Sequence, residues 1–348
     1  MELADTRCMI ADIVWFGAAA AIVWFAGTHL ARYADAISER SGLGQALTGL
    51  LLLGGITSLP EVATSVTAGL RDNAPLAVNN ILGGVALQVV VLAVADAAIG
   101  RNALSAVIAH PNVLLIATFD VMLLGLVATG IATGDTAVIG VGIWPAIIAA
   151  FYLLAVWRIH RYSGRDTWRA QPQQDPAGES RPSVERDASD LGTTQIALRT
   201  TVAAIAVLGA GYVLASRGES IAETSGLGGS FVGAVLVAMA TSLPEVSTAI
   251  EAVRLRRPVL AFADVFGTNL FDIALIFVID IAYGGQPVLN EVGTFSLVAA
   301  LLGIILTTVY LAGLIERRDR VILRMGVDSV AVVVIYCAGL VLLYHLRP

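Results

Sequence analysis

Two copies of one hexapeptide carry the residues best able to do chemistry. Thr57-Ser58-Leu59-Pro60-Glu61-Val62 recurs as Thr241-Ser242-Leu243-Pro244-Glu245-Val246, 184 residues later. Each copy lies in a long apolar stretch, where an isolated carboxylate is costly and marks a functional site by default. Proline inside a helix removes one amide hydrogen bond and crowds the carbonyl four residues back. Pro60 therefore frees the carbonyl of Ile56, and Pro244 that of Ala240, so each motif kinks its helix. Thr57 and Glu61 are four apart and share a helical face, as do Thr241 and Glu245. Ser58 and Ser242 add two hydroxyls. This all-oxygen set suits a hard cation such as calcium, which takes about 6–8 oxygens at about 2.3–2.6 Å. Softer metals prefer Cys or His, and neither accompanies the motif.

A second layer follows each motif. Asp264, Thr268 and Asp272 recur at intervals of four and share a face; the matching positions in the first copy are Asn80, Gly84 and Gln88. Asp272 lies well inside its span and is the third candidate carboxylate. Asp264, nearer the end, fits this layer or a solvated mouth. Asp96 and Asp280 close their spans and are expected to anchor at the interface. Asp120 has no counterpart, since the 184 interval leads to Ile304; it fits helix packing or an accessory proton site. His110, beside Pro111, is expected in a loop.

The elements that hold these residues must be membrane helices. Only 14% of the 348 residues are charged and 57% are apolar, with a mean hydropathy of +0.81. A soluble domain averages roughly 25% charged residues, and disorder needs low hydrophobicity. The net charge of −6 and the lack of a basic stripe argue against a nucleic-acid partner. Cys8 and Cys337 have no metal-ligand spacing and form no disulfide framework. The first apolar run is long enough to span and is followed by others, so it does not read as a cleaved signal.

A helix needs about 20 apolar residues to cross the hydrocarbon core. Ten stretches qualify: 10–30, 43–69, 75–98, 112–133, 136–157, 195–215, 227–252, 258–282, 292–313 and 326–346. The polar segment 158–194 reads as a flexible linker, so the domains are 1–157, a first five-helix half; 158–194; and 195–348, a second half. With the N-terminus outside, the inner loops hold 17 arginines and the outer side 4 (Arg7, Arg71, Arg217 and Arg347). This bias puts 158–194 in the cytoplasm and the protein in the plasma membrane, surrounded by lipid.

The halves align without a gap from Ser41 to Asp96, and 12 of the 22 positions from 41 to 62 are identical to their mates. Five spans per half force the second half into the membrane from the opposite side. The expected fold is thus an all-α membrane protein, ten transmembrane helices in two inverted five-helix repeats. Inverted repeats of this kind are a signature of secondary transporters, with the site at the midplane.

The paired TSLPE motifs, with Gly267-Thr268-Asn269-Leu270-Phe271-Asp272 on the helix that follows the second, resemble the alpha-repeats of the cation/calcium exchanger superfamily, which includes the sodium/calcium exchangers. The resemblance implies ten helices, alternating access by sliding of the first and sixth, and a central diamond of cation sites. It implies calcium on Glu61, Glu245, Thr57 and Thr241. It implies sodium aided by Ser58, Ser242, Thr268 and Asp272, with carbonyls near Gly54 and Ala238. The first repeat departs from the family's Gly-Ser-Asn-x-x-Asn and reads Gly83-Gly84-Val85-Ala86-Leu87-Gln88, losing a hydroxyl and lengthening an amide by one methylene.

The expected function is cation antiport, with calcium expelled in exchange for sodium. Protons in place of sodium are the alternative, because crowded carboxylates hold protons more tightly. A cation channel is the alternative of another class. No HExxH, GxSxG, Cys/His pair or phosphate loop points to an enzyme. Calcium and sodium or protons are substrates here, with no resident cofactor expected, and the sequence leaves the oligomeric state open.

Overall fold

The computed structural model describes residues 2–41, 54–99, 103–107, 111–163, 192–254, 258–322 and 324–347. The first half holds α1 (Glu2–Ser41), the short α2 (Gly54–Thr57), α3 (Leu59–Leu70), α4 (Ala74–Ile99), the short α5 (Leu104–Val107) and α6 (Pro111–Thr133). Hairpin β1 (Ala137–Val138) and β2 (Val141–Gly142) then leads into α7 (Ile143–Ser163). The second half holds α8 (Thr193–Ser225), α9 (Gly229–Val232), a π-helical turn Gly233–Val237, α10 (Ala238–Thr241), α11 (Leu243–Arg254) and α12 (Pro258–Tyr283). A 3-10 turn (Val288–Asn290), α13 (Thr294–Glu316), β3 (Val321–Ile322), β4 (Met325–Gly326) and α14 (Val327–Leu346) complete it.

Among the described residues, eight helices are long and apolar enough to cross a membrane, and nine if the bent pair Gly229–Thr241 and Leu243–Ile250 is one span. The first part of the expected second span, 43–53, lies outside the described residues, as does His110. Several expected bounds are corrected. The fifth span starts at Ile143, not 136, because 137–142 form the antiparallel β1–β2 hairpin. Its apolar Ala137, Val138, Ile139 and Val141 look like helix in composition. Yet Ile139 and Gly140 adopt positive φ, which turns the chain back on itself. The expected linker 158–194 is helical at both ends, since α7 runs on to Ser163 and α8 opens at Thr193; 164–191 lie outside the described residues. α8 continues to Ser225 rather than ending at 215, and α1 extends well beyond 10–30.

Helix α4 and helix α12 form the centre and are the most deeply buried of the long helices. Helices α6 and α13 pack beside them, and α1, α7, α8 and α14 are mostly exposed. The exposed side chains of these outer helices are large and apolar, among them Trp15, Phe25, Leu153, Ile205 and Val334, as a lipid-facing surface requires. Without a hydrophobic drive between helices in lipid, packing depends on close backbone approach through small residues. Gly83 of α4 does this: a Cβ there would overlap the Ala234 carbonyl oxygen in the π turn.

Element bounds recur at the sequence interval of 184. α2 maps on α10, α3 on α11, α4 on α12, β1 on β3 and β2 on β4, residue for residue; α6 maps on α13 at 183. The hydrogen bonds recur too. Asp96 accepts from Leu104 N (2.8 Å) in its own half and from Gly326 N (2.6 Å) in the other. Asp280 accepts from Val288 N (2.7 Å) in its own half and from Gly142 N (2.7 Å) in the other. Each donor is the mate of its opposite number at the same interval. The expected role of Asp96 and Asp280 as interface anchors is therefore corrected. Both are buried and bind main-chain amides, because a carboxylate withdrawn from water takes the nearest unpaired N–H groups. Each clamps one half to the hairpin of the other.

Helices α1 and α8 pack on each other most extensively. Buried Asp12 of α1 receives Arg217 Nη1 of α8 at 2.8 Å and also the Ser220 hydroxyl. Helix α8 in turn meets α3 at Gly211, where a Cβ would overlap the Ala63 Cβ. The Gly211 carbonyl accepts from Thr64 at 3.3 Å.

Candidate cation site

Both hexapeptides break their helices at the serine. Ser58 (φ −75°, ψ 3°) separates α2 from α3, and Ser242 (φ −82°, ψ 9°) separates α10 from α11. The prolines take the first turn of the helix that follows, where a missing N–H costs nothing. The second break bends its span by 45°. The π turn just before it is a feature frequent at functional sites.

The breaks aim both motifs into the protein. Thr57, Ser58, Glu61, Gln88, Thr241, Ser242, Glu245, Thr268 and Asp272 are all buried, the two glutamates and Asp272 with 0% exposure. Thr57 and Thr241 each donate back three residues, to the carbonyls of Gly54 and Ala238, at 3.3 Å in both halves. Ser242 Oγ donates to Glu61 Oε1 across the halves at 3.3 Å. Gln88 Nε2 donates to Asp272 Oδ2 at 3.2 Å, joining α4 to α12 between positions that are mates in the repeat.

Many oxygens stay without a donor. Ser58 Oγ, Glu61 Oε2, both oxygens of Glu245, Gln88 Oε1, Thr268 Oγ1 and Asp272 Oδ1 are buried with no hydrogen-bond partner. Glu61 and Glu245 stand within each other's electric field, and that of Asp272 reaches both. Buried polar groups are almost always satisfied, so such a concentration of free acceptors fits cations. Among the described residues no three carboxylate, imidazole or thiol groups gather to hold one metal ion. An ion between Glu61 and Glu245 would draw its other ligands from hydroxyls and carbonyls, while Asp272 is held to one side by Gln88.

Asp264 is buried, not a solvated mouth residue, and accepts from Thr248 Oγ1 at 2.7 Å. Its mate Asn80 donates to Ser65 Oγ at 2.9 Å and offers Oδ1 to Thr241 at 3.4 Å. Ser65 and Thr248 support the site without having been expected. Their signal in the sequence is a position one turn beyond each glutamate, on the same face. Asp120 is buried with both oxygens unpartnered.

Comparison with known proteins places these observations. The chain is 24% identical over 256 residues to inner membrane protein YrbG of Escherichia coli (strain K12), spanning 73% of this chain and 74% of that one. Its fold is similar to the sodium-calcium exchanger NCX_Mj, with a TM-score of 0.63 and 16% identity over 96% of this chain and 99% of that one. It is similar as well to the H+/Ca2+ exchanger CAX, with a TM-score of 0.71 and 12% identity over 96% and 85%. The family model described as sodium/calcium exchanger protein matches residues 11–159 and 196–345, nearly the whole of both halves, and the chain belongs to that family of membrane cation/calcium exchangers.

Proposed function

We propose that the protein is a secondary-active antiporter of the plasma membrane that expels calcium in exchange for sodium by alternating access. The observation that carries this reading is the pair Glu61 and Glu245: buried, with no basic side chain paired to either among the described residues, and set at matching helix breaks. On this reading calcium sits between them with Thr57, Thr241 and main-chain oxygens, the Gly54 and Ala238 carbonyls among the candidates. Sodium uses Ser58, Ser242, Thr268, Gln88 and Asp272. Two cations that need the same carboxylates exclude each other, which makes exchange rather than leak the natural behaviour. The recurrence of element bounds at 184 supports two five-helix halves of inverted topology, with ten spans once 43–53 is included. The arginine bias supports an outside N-terminus and a cytoplasmic central segment.

Proton coupling is the second reading, favoured by a specific observation. Glu61, Glu245, Asp264, Asp272 and Asp120 are all buried, and no arginine is buried among the described residues. Calcium neutralises only two of these charges, so the others hold monovalent ions or protons. Calcium uptake into inverted vesicles under imposed sodium or pH gradients tests both. A sodium gradient should drive uptake and a pH gradient should not. Uptake driven by pH alone moves the assignment to proton coupling. Calcium flux down its own gradient with no counter-ion would mean a channel and sink the exchanger reading.

A further inference from the structure

Among the described residues, helix α12 carries a line of oxygens without donors. Asp264, Thr268 and Asp272 recur at intervals of four and share one face. All three are buried, and Asp264 Oδ1, Thr268 Oγ1 and Asp272 Oδ1 each lack a hydrogen-bond partner. Successive positions on this stripe are about 6 Å apart along the axis. Thr268 and Asp272 belong to the central site. Asp264 lies one step further out, six residues after Pro258 and so about 9 Å inside that end of α12. Helix α11 supplies further oxygens at the same level. Thr248 lies six residues before Arg254, at the same depth from the arginine-rich connection 254–257. Its hydroxyl is 2.7 Å from Asp264 Oδ2 and 3.1 Å from the Glu245 main-chain oxygen. A hydroxyl has one hydrogen, so it cannot serve both. With that hydrogen on the nearer carboxylate, Thr248 Oγ1 and the Glu245 carbonyl face each other with lone pairs, and Asp264 Oδ1 is still free.

The repeat supplies a control within the molecule. The mate of Asp264 is Asn80, which is neutral and satisfied: Nδ2 donates to Ser65 Oγ at 2.9 Å and Oδ1 accepts from Thr241 at 3.4 Å. The mate of Thr248 is Thr64, which turns instead to the Gly211 carbonyl at 3.3 Å. The mate of Thr268 is Gly84, with no side chain to offer. The first copy is thus closed by its own hydrogen bonds, and an amide is enough for the fold at this position. The second copy keeps a buried carboxylate with one oxygen free. Such a charge is costly in an apolar bundle unless an opposite charge balances it, and no arginine is buried among the described residues.

We propose that the Asp264 carboxylate, the Thr248 hydroxyl and the Glu245 carbonyl oxygen form a subsite for a monovalent cation, sodium, one step from the central site toward the arginine-rich end. One carboxylate among neutral oxygens matches a single positive charge. The use of this subsite in transport rests on the exchanger reading, but its test does not. Radioactive sodium bound at saturation is counted on the purified full chain without calcium, with choline chloride holding the ionic strength. Asp264→Asn should bind one sodium ion fewer per chain than wild type. Its half-saturation by calcium, measured without sodium, should move by less than about twofold. Thr248→Val keeps the charge and the shape but loses one oxygen, and should raise the half-saturating sodium concentration of that ion by about threefold or more. Equal sodium counts in wild type and folded Asp264→Asn overturn the proposal. If Asp264→Asn is not obtained folded, an unchanged sodium half-point in Thr248→Val overturns it. Loss of all bound sodium in Asp264→Asn does so too, since Asp264 would then act through the central site. So does an Asp264→Asn effect confined to the pH dependence of calcium binding, since Asp264 would then carry a proton. Wild type that binds this ion but moves no calcium in vesicles would instead sink the exchanger reading and leave the subsite standing.

Discussion

At the scale of single residues, Glu245 with both oxygens unpaired and Glu61 with one are unfinished as parts of a folded protein. Nothing else in the described core supplies positive charge to them. Glutamine has nearly the same shape, so Glu61→Gln or Glu245→Gln should fold while calcium uptake in vesicles drops by about two orders of magnitude. Uptake at wild-type rate in either variant removes the pair from the site. The monovalent layer is less even. Gln88 is a neutral donor to Asp272, so Gln88→Ala costs one hydrogen bond, about 1 kcal/mol. Asp272→Asn removes a charge. Dependence of calcium flux on sodium should suffer more in Asp272→Asn than in Gln88→Ala, and equal damage would end the asymmetry. The hexapeptides and Asp272 were legible in sequence because polar residues stand out in an apolar run. The Gln88–Asp272 bond was not: their equivalence is visible in the alignment, but an alignment does not say that mates touch.

At the scale of elements, two adjacent glycines of α4 make opposite demands. A Cβ on Gly84 would meet only Ser242 Oγ, at 3.7 Å, an ordinary contact, whereas one on Gly83 would overlap the Ala234 carbonyl. Gly84→Ser should therefore be tolerated. Gly83→Ala should push α4 from the π turn and cost about 1–3 kcal/mol, seen as a lower thermal midpoint and lower yield of folded protein. Normal stability of Gly83→Ala would show that the two segments are not in contact in the membrane. Helix positions were readable from apolar runs, but their ends were not. Residues 137–142 have helical composition and fold as a hairpin, and the charged start of the linker, through Arg161, continues α7 to Ser163. Composition reports depth in the bilayer; turn geometry, not depth, decides where a helix stops.

At the scale of the whole molecule, the carboxylates Asp96 and Asp280 decide how the halves stay together. In sequence both looked like acids at membrane interfaces, and only their shared interval with Gly142 and Gly326 hinted at more. Each ties the loop after its own helix to the hairpin before the last helix of the opposite half, through bonds of 2.6–2.8 Å. Asp96 Oδ2 also accepts from Ser329 Oγ at 2.6 Å, and Ser329 is within 2.9 Å of the Tyr310 hydroxyl. These clamps span elements outside the α1–α8 pair, whose own ion pair from Arg217 to Asp12 holds it together separately. The clamps and the Arg217–Asp12 pair thus brace different parts of the fold. Asparagine keeps one acceptor but turns an NH2 group toward a main-chain N–H. Asp96→Asn and Asp280→Asn should each destabilise by about 2 kcal/mol or more, and the double variant by about the sum. Thermal unfolding of the three variants in detergent checks this. Midpoints equal to wild type would mean that the clamps do not bear on stability. A loss in Asp96→Asn alone would show that the Ser329–Tyr310 extension, which Asp280 lacks, carries the brace.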